Sequence, residues 1–292
     1  MNAWQRPVPT DATAAGLVSR LQGIGRAAVV ALYDELALAP KPGLVSFVDS
    51  GSHADMDAHT FMRSLFALRH SFPRLAAVGA AGAGFETLAR EGVAAEVRML
   101  AATGGVNTHR GAIFSLGLLC ASAGALAAQG AARPDAAALR RTLIAKWGDA
   151  LIDRASRTGP GAGSLAAQRL GLRSAGAEAA CGFPVLFETT LPALLAAQAG
   201  GATRSQARLQ ALFATLAVLD DTNLAHRGGL AGLQHAQRAA RAFLAAGGAL
   251  RPDALAHARA LHADFVARRL SPGGTADMLA AACWVQRVCD PA

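Results

Sequence analysis

Acidic side chains and histidines alternate in one short stretch of the chain, the segment 50–61. It carries His53, Asp55, Asp57 and His59 among small residues. An extended backbone would place all four side chains on the same side, whereas a helix would pair Asp55 with His59. Either arrangement could bind a divalent cation through oxygen ligands or pass a proton between a carboxylate and an imidazole. The alternative is that Asp57 only caps the helix that is predicted to follow.

A glycine-rich segment, 103–111, places four consecutive polar residues directly before a long uncharged run. These residues are Asn107, Thr108, His109 and Arg110. The glycines leave backbone N–H groups accessible and the start of the next helix is positive, so the segment predicts a phosphate-binding site. It lacks the spacing of a Walker A loop, and no strand is predicted before it as in a Rossmann turn. A plain helix connection would account for the glycines but not for the polar row.

Three further segments carry polar residues beside glycine or proline. Asp221 and Asn223 could face a ribose or a hydrated cation, and Arg227 stands before two glycines that leave room for a phosphate. The alternative there is a helix C-cap followed by a loop. Glu178 lies in an otherwise apolar stretch, which predicts a buried carboxylate with a raised pKa. The segment 271–277 repeats the pattern on a smaller scale, with two glycines before Asp277.

Lys41 lies between two prolines at the end of a predicted helix. Pro40 and Pro42 end the helix that contains Glu35, and their fixed φ angles predict a stiff, extended turn. On such a turn the lysine cannot easily fold away, so its ammonium is a candidate phosphate ligand. The alternative is a solvated lysine at a helix C-terminus, where the helix dipole favours a cation.

The elements that must hold these segments are predicted to be helices throughout. The 292 residues are 52% hydrophobic, the alternation typical of strands is missing, and apolar residues recur at spacings of three and four. Breakers cluster at 40–43, 129–135, 158–163, 246–253 and 271–274. They leave helices of about 12 to 20 residues and form no domain linker. We therefore expect an all-α fold: one multi-helix domain over residues 1–292, with a flexible segment at 1–12 and Gly-rich loops lining one cleft.

Charge and cysteine content favour a cytoplasmic protein with neither nucleic acid nor membrane as partner. The net charge is +8, but the arginines are scattered singly and 15 aromatic residues are few for stacking on bases. Four cysteines without metal-binding spacing are expected to be reduced, and no signal peptide is visible. The uncharged run 111–132 is long enough to span a bilayer, but its Ala, Gly and Ser content indicates a buried core helix.

Six short motifs occur in order along the chain and together cover the stretch from Leu32 to Leu279. They are Lys41-Pro-Gly-Leu-Val, Gly51-Ser-His-Ala-Asp-Met-Asp57, Gly105-Val-Asn-Thr-His-Arg-Gly111, Gly176-Ala-Glu178 with Gly182-Phe-Pro, Asp221-Thr-Asn223 with Arg227-Gly-Gly, and Ser271-Pro-Gly-Gly. Each is weak alone, but the ordered set is specific and resembles the triphosphoribosyl-dephospho-CoA synthase family. General similarity favours the malonate decarboxylase branch of that family over the citrate lyase branch. Arg110 departs from the family pattern, in which a lysine often stands there.

The resemblance implies an enzyme that joins ATP and 3′-dephospho-CoA, releases adenine and leaves a triphosphoribosyl group on the 2′-hydroxyl of the dephospho-CoA ribose. A separate transferase would attach this prosthetic-group precursor to the acyl-carrier protein of malonate decarboxylase. Because the family's linkage is α and that of ATP is β, a single displacement with inversion is the simplest course. The oligomeric state stays open, a homo-oligomer being one option.

The implied reaction suggests roles for the polar residues. Positive charge develops at C1′ of ATP as the N-glycosidic bond breaks, and Asp57 is the first candidate to stabilise it. Asp55, Glu35 and His109 are alternatives for accepting the proton of the incoming hydroxyl. Lys41, Arg110 and Arg227 are expected to clamp the triphosphate. Further substrate-binding candidates are His53, Asn107, Thr108, Glu178, Asp221 and Asn223. Mg²⁺ is expected on the triphosphate, with Asp55, Asp57 or Asp221 as ligands.

Two other functions fit parts of the sequence. A helical, metal-dependent glycohydrolase of the ADP-ribosyl type would transfer the same ribosyl cation to water, and its adenine release would ignore the acceptor. A basic helical nucleic-acid-binding protein would place its arginines on one face and bind DNA with a strong salt dependence.

Overall fold

The fold is built from helices in the part of the chain that the computed structural model describes, residues 11–131, 133–156 and 162–289. The α-helices are α1 (Asp11–Leu36), α2 (Ala58–Leu68), α3 (Ser71–Ala80), α4 (Phe85–Thr103), α5 (Arg110–Ala128), α6 (Ala136–Ser156), α7 (Ala162–Leu170), α8 (Ala175–Ala180), α9 (Leu191–Ala199), α10 (Arg204–Leu216), α11 (Thr222–Ala245), α12 (Ala254–Ala267) and α13 (Gly273–Val288). A π-helix at Leu186–Thr190 precedes α9, and a 3₁₀ turn at Gly248–Leu250 precedes α12. No strand occurs in these ranges, so the predicted all-α fold is confirmed.

The predicted breaker clusters separate helices where the structure describes them. Residues 40–43 lie between α1 and α2, 246–253 between α11 and α12, and 271–274 at the start of α13. Helix lengths vary more than predicted, from 6 residues in α8 to 26 in α1, because tertiary packing rather than local propensity sets most helix ends. The cluster 158–163 and the flexible segment expected at 1–12 lie mostly outside the described residues, although α1 already begins at Asp11.

Helix α5 forms the centre of the core. Its 19 residues are long and apolar enough to cross a membrane, but 78% of its most apolar stretch is buried inside the protein. A Cβ on Gly79 of α3 would lie 1.8 Å from the carbonyl oxygen of Ala121, and one on Gly124 would lie 2.0 Å from that of Ala76. Small residues on both helices thus let the two backbones touch. The prediction that this uncharged run is a buried core helix is confirmed.

Helix α13 packs on α1 and α5 and carries a tryptophan that is hydrogen-bonded to α1. Trp284 is fully buried, and its Nε1 donates a hydrogen bond to the carbonyl oxygen of Ile24 at 3.0 Å. The apolar residues of α13, among them Leu279 and Val285, belong to one continuous hydrophobic cluster with α1, α5 and α10. This packing fixes the start of α13, which is central to the site described below.

Several arginines are bound to carboxylates or carbonyl groups of the fold. Arg208 of α10 pairs with Asp34 of α1 at 2.8 Å, and Arg287 of α13 contacts the same carboxylate. Arg140 of α6 pairs with Glu188 at 2.7 Å. These arginines contribute to the fold itself, which lowers the positive charge available to an external polyanion.

Candidate active site

The start of α13, residues 271–277, is where the separate polar segments of the sequence meet. Ser271 Oγ lies 2.8 Å from His53 Nε2, and a Cβ on Gly273 would come within 2.6 Å of the side-chain nitrogen of Asn223. Thr275 donates to Asp221 from its backbone nitrogen and its hydroxyl group, at 2.8 and 2.9 Å. Residues separated by more than 200 positions in the sequence therefore share one small region.

Asp221 is buried at the N-terminus of α11, and both of its oxygens are occupied. Oδ1 accepts hydrogen bonds from the backbone N–H groups of Asn223 and Leu224, at 3.0 and 3.3 Å, while Oδ2 accepts the two from Thr275. Burial raises the pKa of Asp221, and the four hydrogen bonds oppose that rise. The segment is thus the start of a helix and not the C-cap considered as the alternative. Asp221 ties α11 to α13 and faces inward.

Lys41 folds back on the helix that precedes it, which corrects the prediction that its turn would hold it outward. Its Nζ lies 2.5 Å from Glu35 Oε1 and 2.7 Å from the backbone carbonyl oxygen of Glu35. Both side chains are buried, and burial lowers the pKa of Lys41 although Glu35 acts in the opposite direction. The last turn of α1 has carbonyl groups without helical partners, and the ammonium satisfies one of them. The solvated lysine considered as the alternative is therefore also wrong.

His109 is the N-cap residue of α5 and is buried beside Lys41. Its Nδ1 lies 2.7 Å from Ser64 Oγ of α2, and its Nε2 has no hydrogen-bond partner among the described residues. Burial and the charge of Lys41 lower the pKa of His109 to about 3, so the ring is neutral at pH 7. A neutral imidazole with one free ring nitrogen can donate a single hydrogen bond to a substrate or accept one from it, depending on the tautomer.

A narrow cleft opens between the starts of α5, α8, α11 and α13. Its wall includes Gly111, Glu178, Asp221, Gly274 and Asp277. Burial raises the pKa of Asp277 well above its ordinary value, and the negative charges of Asp221 and Glu35 add to this. The cleft therefore combines carboxyl groups of different proton affinity with backbone that glycine leaves open.

Glu178 closes one side of the cleft and is buried, as predicted. Its carboxylate accepts a hydrogen bond from Arg173 Nη1 at 3.1 Å and one from the backbone nitrogen of Val185 at 2.7 Å. The ion pair raises the pKa of Arg173. Phe183, also in the wall, adopts a φ of 51°, which is uncommon for a residue with a side chain. Its ring is only 1% exposed and packs inside the protein behind the surface of the cleft.

His53 and Arg227 form a second polar group beside the start of α13. Arg227 can only donate, so its contact of 3.1 Å with His53 Nδ1 makes that nitrogen the acceptor and leaves Nε2–H to donate to Ser271. Burial and the charge of Arg227 lower the pKa of His53. Arg227 also donates to the carbonyl oxygens of Ser52 and Arg269, at 3.1 and 3.3 Å. These bonds hold the guanidinium in place at the protein surface.

Asp55 and Asp57 are exposed and do not form the predicted acid–imidazole cluster with both histidines. Asp57 caps α2, since its Oδ1 accepts from the backbone nitrogen and the hydroxyl group of Thr60, at 2.8 and 2.7 Å. These bonds lower the pKa of Asp57. Asp55 lies 3.6 Å from His53, whereas His59 is exposed on α2. The capping function considered as the alternative for Asp57 is thus present, which leaves its negative charge available at the surface.

The polar row before α5 is divided between surface and interior. Asn107 is exposed and accepts a hydrogen bond from the backbone nitrogen of Arg110 at 3.1 Å. Arg110 is half-exposed and bound to Glu96 of α4. Thr108 has a buried hydroxyl without a partner among the described residues. Because Phe61 of α2 contacts the ring of His109 at a centroid distance of 4.8 Å, the starts of α2 and α5 lie side by side.

The described residues contain no group of three or more His, Cys, Asp or Glu side chains arranged to hold a metal ion. Asp55 and Asp57 are exposed, whereas Asp221 is buried with four hydrogen bonds already made. The prediction that Asp55, Asp57 or Asp221 binds Mg²⁺, directly or through water, stays a prediction, and the hydrogen bonds of Asp221 favour the two exposed carboxylates. A resident Mg²⁺ site does not fit these residues, and an ion bound to the triphosphate of ATP would enter as part of the substrate.

Sequence reasoning assigned no role to two residues of the cleft wall. Asp277 is the one acidic residue of α13 and the one charged residue in its apolar stretch 276–285, and that contrast could have singled it out. Arg173, five positions before Glu178, binds that carboxylate.

The fold and the site define an all-helical protein with a cleft that is lined by carboxyl groups and by backbone that glycine leaves open. The chain matches the CitG family, described as ATP:dephospho-CoA triphosphoribosyl transferase, over residues 21–291. A probable 2-(5′′-triphosphoribosyl)-3′-dephosphocoenzyme-A synthase from Azotobacter vinelandii is 41% identical over 266 residues, 89% of each chain. The 2-(5′′-triphosphoribosyl)-3′-dephosphocoenzyme-A synthase from Klebsiella pneumoniae is 39% identical over 276 residues, 92% of this chain and 96% of the relative. No solved structure is significantly similar.

The chain belongs to the triphosphoribosyl-dephospho-CoA synthase family and is a transferase. The resemblance seen in the six motifs is thereby confirmed at the level of the family.

Proposed function

We propose that the chain transfers the triphosphoribosyl group of ATP to the 2′-hydroxyl group of 3′-dephospho-CoA and releases adenine. The observation that carries this proposal is the convergence at the start of α13. Side chains from α1, the loop before α2 and the start of α11 reach this region, and the backbone of Gly111 at the start of α5 lies against Asp277. Such convergence is what a two-substrate reaction requires, because both reacting groups must be held in one geometry.

The positions of the polar groups suggest how ATP lies in the site. The adenine and ribose are placed in the cleft, whose wall carries the carboxyl groups of Glu178 and Asp277. The triphosphate extends toward the starts of α2 and α5, whose backbone N–H groups favour an anion. Arg110 and Arg227, both exposed, bind the phosphates, and Asp57 stabilises the positive charge at C1′. Lys41 acts from within the protein, through Glu35 and His109.

Mg²⁺ enters with ATP in this proposal, and Asp55 and Asp57 ligate it directly or through water. Both carboxylates are exposed near the starts of α2 and α5, where the triphosphate is placed. Excess chelator is expected to abolish turnover, and added Mg²⁺ to restore it. Full activity in excess chelator would contradict the role of the ion without affecting the assignment of the substrates.

The product is proposed to serve the acyl-carrier protein of malonate decarboxylase, to which a separate transferase attaches it. The six sequence motifs support this branch by general similarity. The test is genetic complementation of two strains that lack their own synthase, one assayed for malonate decarboxylase and the other for citrate lyase. Restoration of citrate lyase alone would contradict the proposal.

The decisive experiment for the reaction incubates the purified chain with ATP, with and without 3′-dephospho-CoA. We expect one adenine released per molecule of triphosphoribosyl product, with the triphosphate intact in the mass spectrum. Adenine release at the same rate without the acceptor would instead identify the helical glycohydrolase named above. If the chain released no adenine and formed no product, both enzymatic functions would be contradicted.

A further inference from the structure

Asp277 differs from the three buried acids, Glu35, Glu178 and Asp221, in lining the cleft with oxygens that have no hydrogen-bond partner among the described residues. It lies in the second turn of α13 and lines the cleft with Gly274 and Met278. Asp221 accepts four hydrogen bonds and Glu35 is bound by Lys41, whereas no hydrogen bond to the Asp277 carboxyl group is found in the described part of the chain. Glu178 is bound by Arg173 and by the backbone nitrogen of Val185, so Asp277 is the one of these four acids whose carboxyl group is left to exchange a proton with a substrate.

Helix α5 leaves space for this carboxyl group. A Cβ on Gly111 would lie 2.0 Å from Asp277 Oδ2, so a larger residue there would displace the acid. Gly111 stands in the first turn of α5, directly after Arg110, and lines the same cleft. The close approach of backbone and carboxyl group holds the acid at one position in the wall.

The groups around Asp277 favour its neutral acid form. They are Asp221 at the start of α11, Glu35 of α1 with its partner Lys41, and, across the cleft, Glu178 with its partner Arg173. Both cations are bound to carboxylates of their own, so neither neutralises Asp277. Burial and two neighbouring negative charges therefore raise the pKa of Asp277 well above its ordinary value, and a carboxyl group in its acid form is suited to protonate a leaving group.

We propose that Asp277 is a further catalytic residue, which donates its proton to a ring nitrogen of adenine as the base leaves ATP. This inference rests on the proposed function. As the C1′–N9 bond breaks, its electron pair passes to adenine, which takes the proton from Asp277. The 2′-hydroxyl oxygen of dephospho-CoA forms the new bond to C1′ and loses its proton, which over the whole cycle restores the acid form of Asp277. The reaction then exchanges no net proton with the solvent.

The test is the variant Asp277→Asn, which removes the transferable proton but keeps the size and neutral charge of the side chain. We expect kcat with ATP and dephospho-CoA to fall about 100-fold or more. The Kd for ATP, measured by direct binding, should change by less than about twofold, because the group acts in the transition state. Wild-type activity should decline at alkaline pH as the acid loses its proton, and this decline should be absent from the residual activity of the variant.

The matched control is Asp253→Asn, the same chemical change at an exposed carboxylate before α12. It should keep wild-type turnover and the wild-type pH profile. The melting temperature of Asp277→Asn should stay close to that of the wild type at pH 6, since one neutral group replaces another.

Separate outcomes test the two levels of the proposal. A wild-type enzyme that forms no product from ATP and dephospho-CoA contradicts the proposed function itself. If the wild type is active, three results each overturn the role of Asp277: a variant that keeps more than about a tenth of the turnover, a retained decline at alkaline pH, or a loss of ATP affinity or folding that matches the loss of activity.

Discussion

Among single residues, Lys41 shows how burial changes what a charged side chain can do. We expect Lys41→Met to lower the free energy of unfolding by about 3–5 kcal/mol, because the change leaves the Glu35 carboxylate buried without its partner. Urea denaturation measures this loss. The double variant Lys41→Met with Glu35→Leu should recover much of the stability, since no uncompensated charge remains. A double variant no more stable than Lys41→Met would show that the two groups are not energetically coupled.

Asp57 combines a structural and a proposed catalytic role, and one substitution separates them. Asparagine caps a helix about as well as aspartate, so Asp57→Asn should keep the hydrogen bonds to Thr60 and the fold. The lost negative charge should reduce turnover about 100-fold or more, as measured by adenine release. Near-normal turnover would assign the stabilising carboxylate to another residue.

The buried neutral His109 predicts a loss of stability in acid. Its pKa is about 3 in the folded protein and about 6.5 in the unfolded chain, so the unfolded state binds more protons below pH 6.5. The His109 contribution is fully present above pH 6.5 and is lost progressively as the pH falls toward 3. The loss of this contribution between pH 7.5 and 4.5 should lower the free energy of unfolding of the wild type by about 2.5 kcal/mol.

The control for His109 is the variant His109→Gln, which cannot titrate in this range. The loss of unfolding free energy between pH 7.5 and 4.5, measured by urea denaturation, should be smaller in the variant than in the wild type by about 2.5 kcal/mol. An equal loss in both proteins would mean that His109 is charged, or solvated, in the folded state.

At the scale of elements, the contact between α3 and α5 depends on glycine. A Cβ at Gly79 would lie 1.8 Å from the backbone oxygen of Ala121, which cannot move without shifting α5. We expect Gly79→Ala to destabilise the protein by about 3 kcal/mol, at the upper end of the cost of overpacking a core. Thermal unfolding measures the effect.

Gly92 provides the matched control for this contact. It lies inside α4 with open space around the position of a Cβ, so Gly92→Ala should stabilise the protein by about 0.5–1 kcal/mol through helix propensity. Equal effects of the two substitutions would mean that the close approach of α3 and α5 does not limit packing.

For the whole molecule, the distribution of charge predicts weak binding to nucleic acid despite the net charge of +8. Arg208 and Arg287 share Asp34, Arg140 binds Glu188 and Arg173 binds Glu178. Titration with duplex DNA at about 50 and 200 mM salt should therefore show little binding at either concentration. Strong binding that weakens steeply with salt would support the nucleic-acid-binding alternative.

The amino-acid sequence by itself determined the class of fold, the core position of α5 and the family. Helical periodicity and breakers are local properties of the sequence, and the small residues Gly79 and Ala121 stand in apolar runs. The motifs also located most of the candidate site, because glycine beside polar residues is a local pattern. The burial of Glu178 followed from its apolar neighbours in the chain.

Only the tertiary structure decided which polar residues face one another. Lys41 turns inward because Glu35 and a helix end supply partners, which no spacing along the chain could show. Asp277 became a candidate acid because α1, α5 and α11 bring Glu35, Gly111 and Asp221 around it. Burial and charge proximity depend on contacts between distant segments, so the proton affinity of a carboxyl group is set by the folded protein and not by its local sequence.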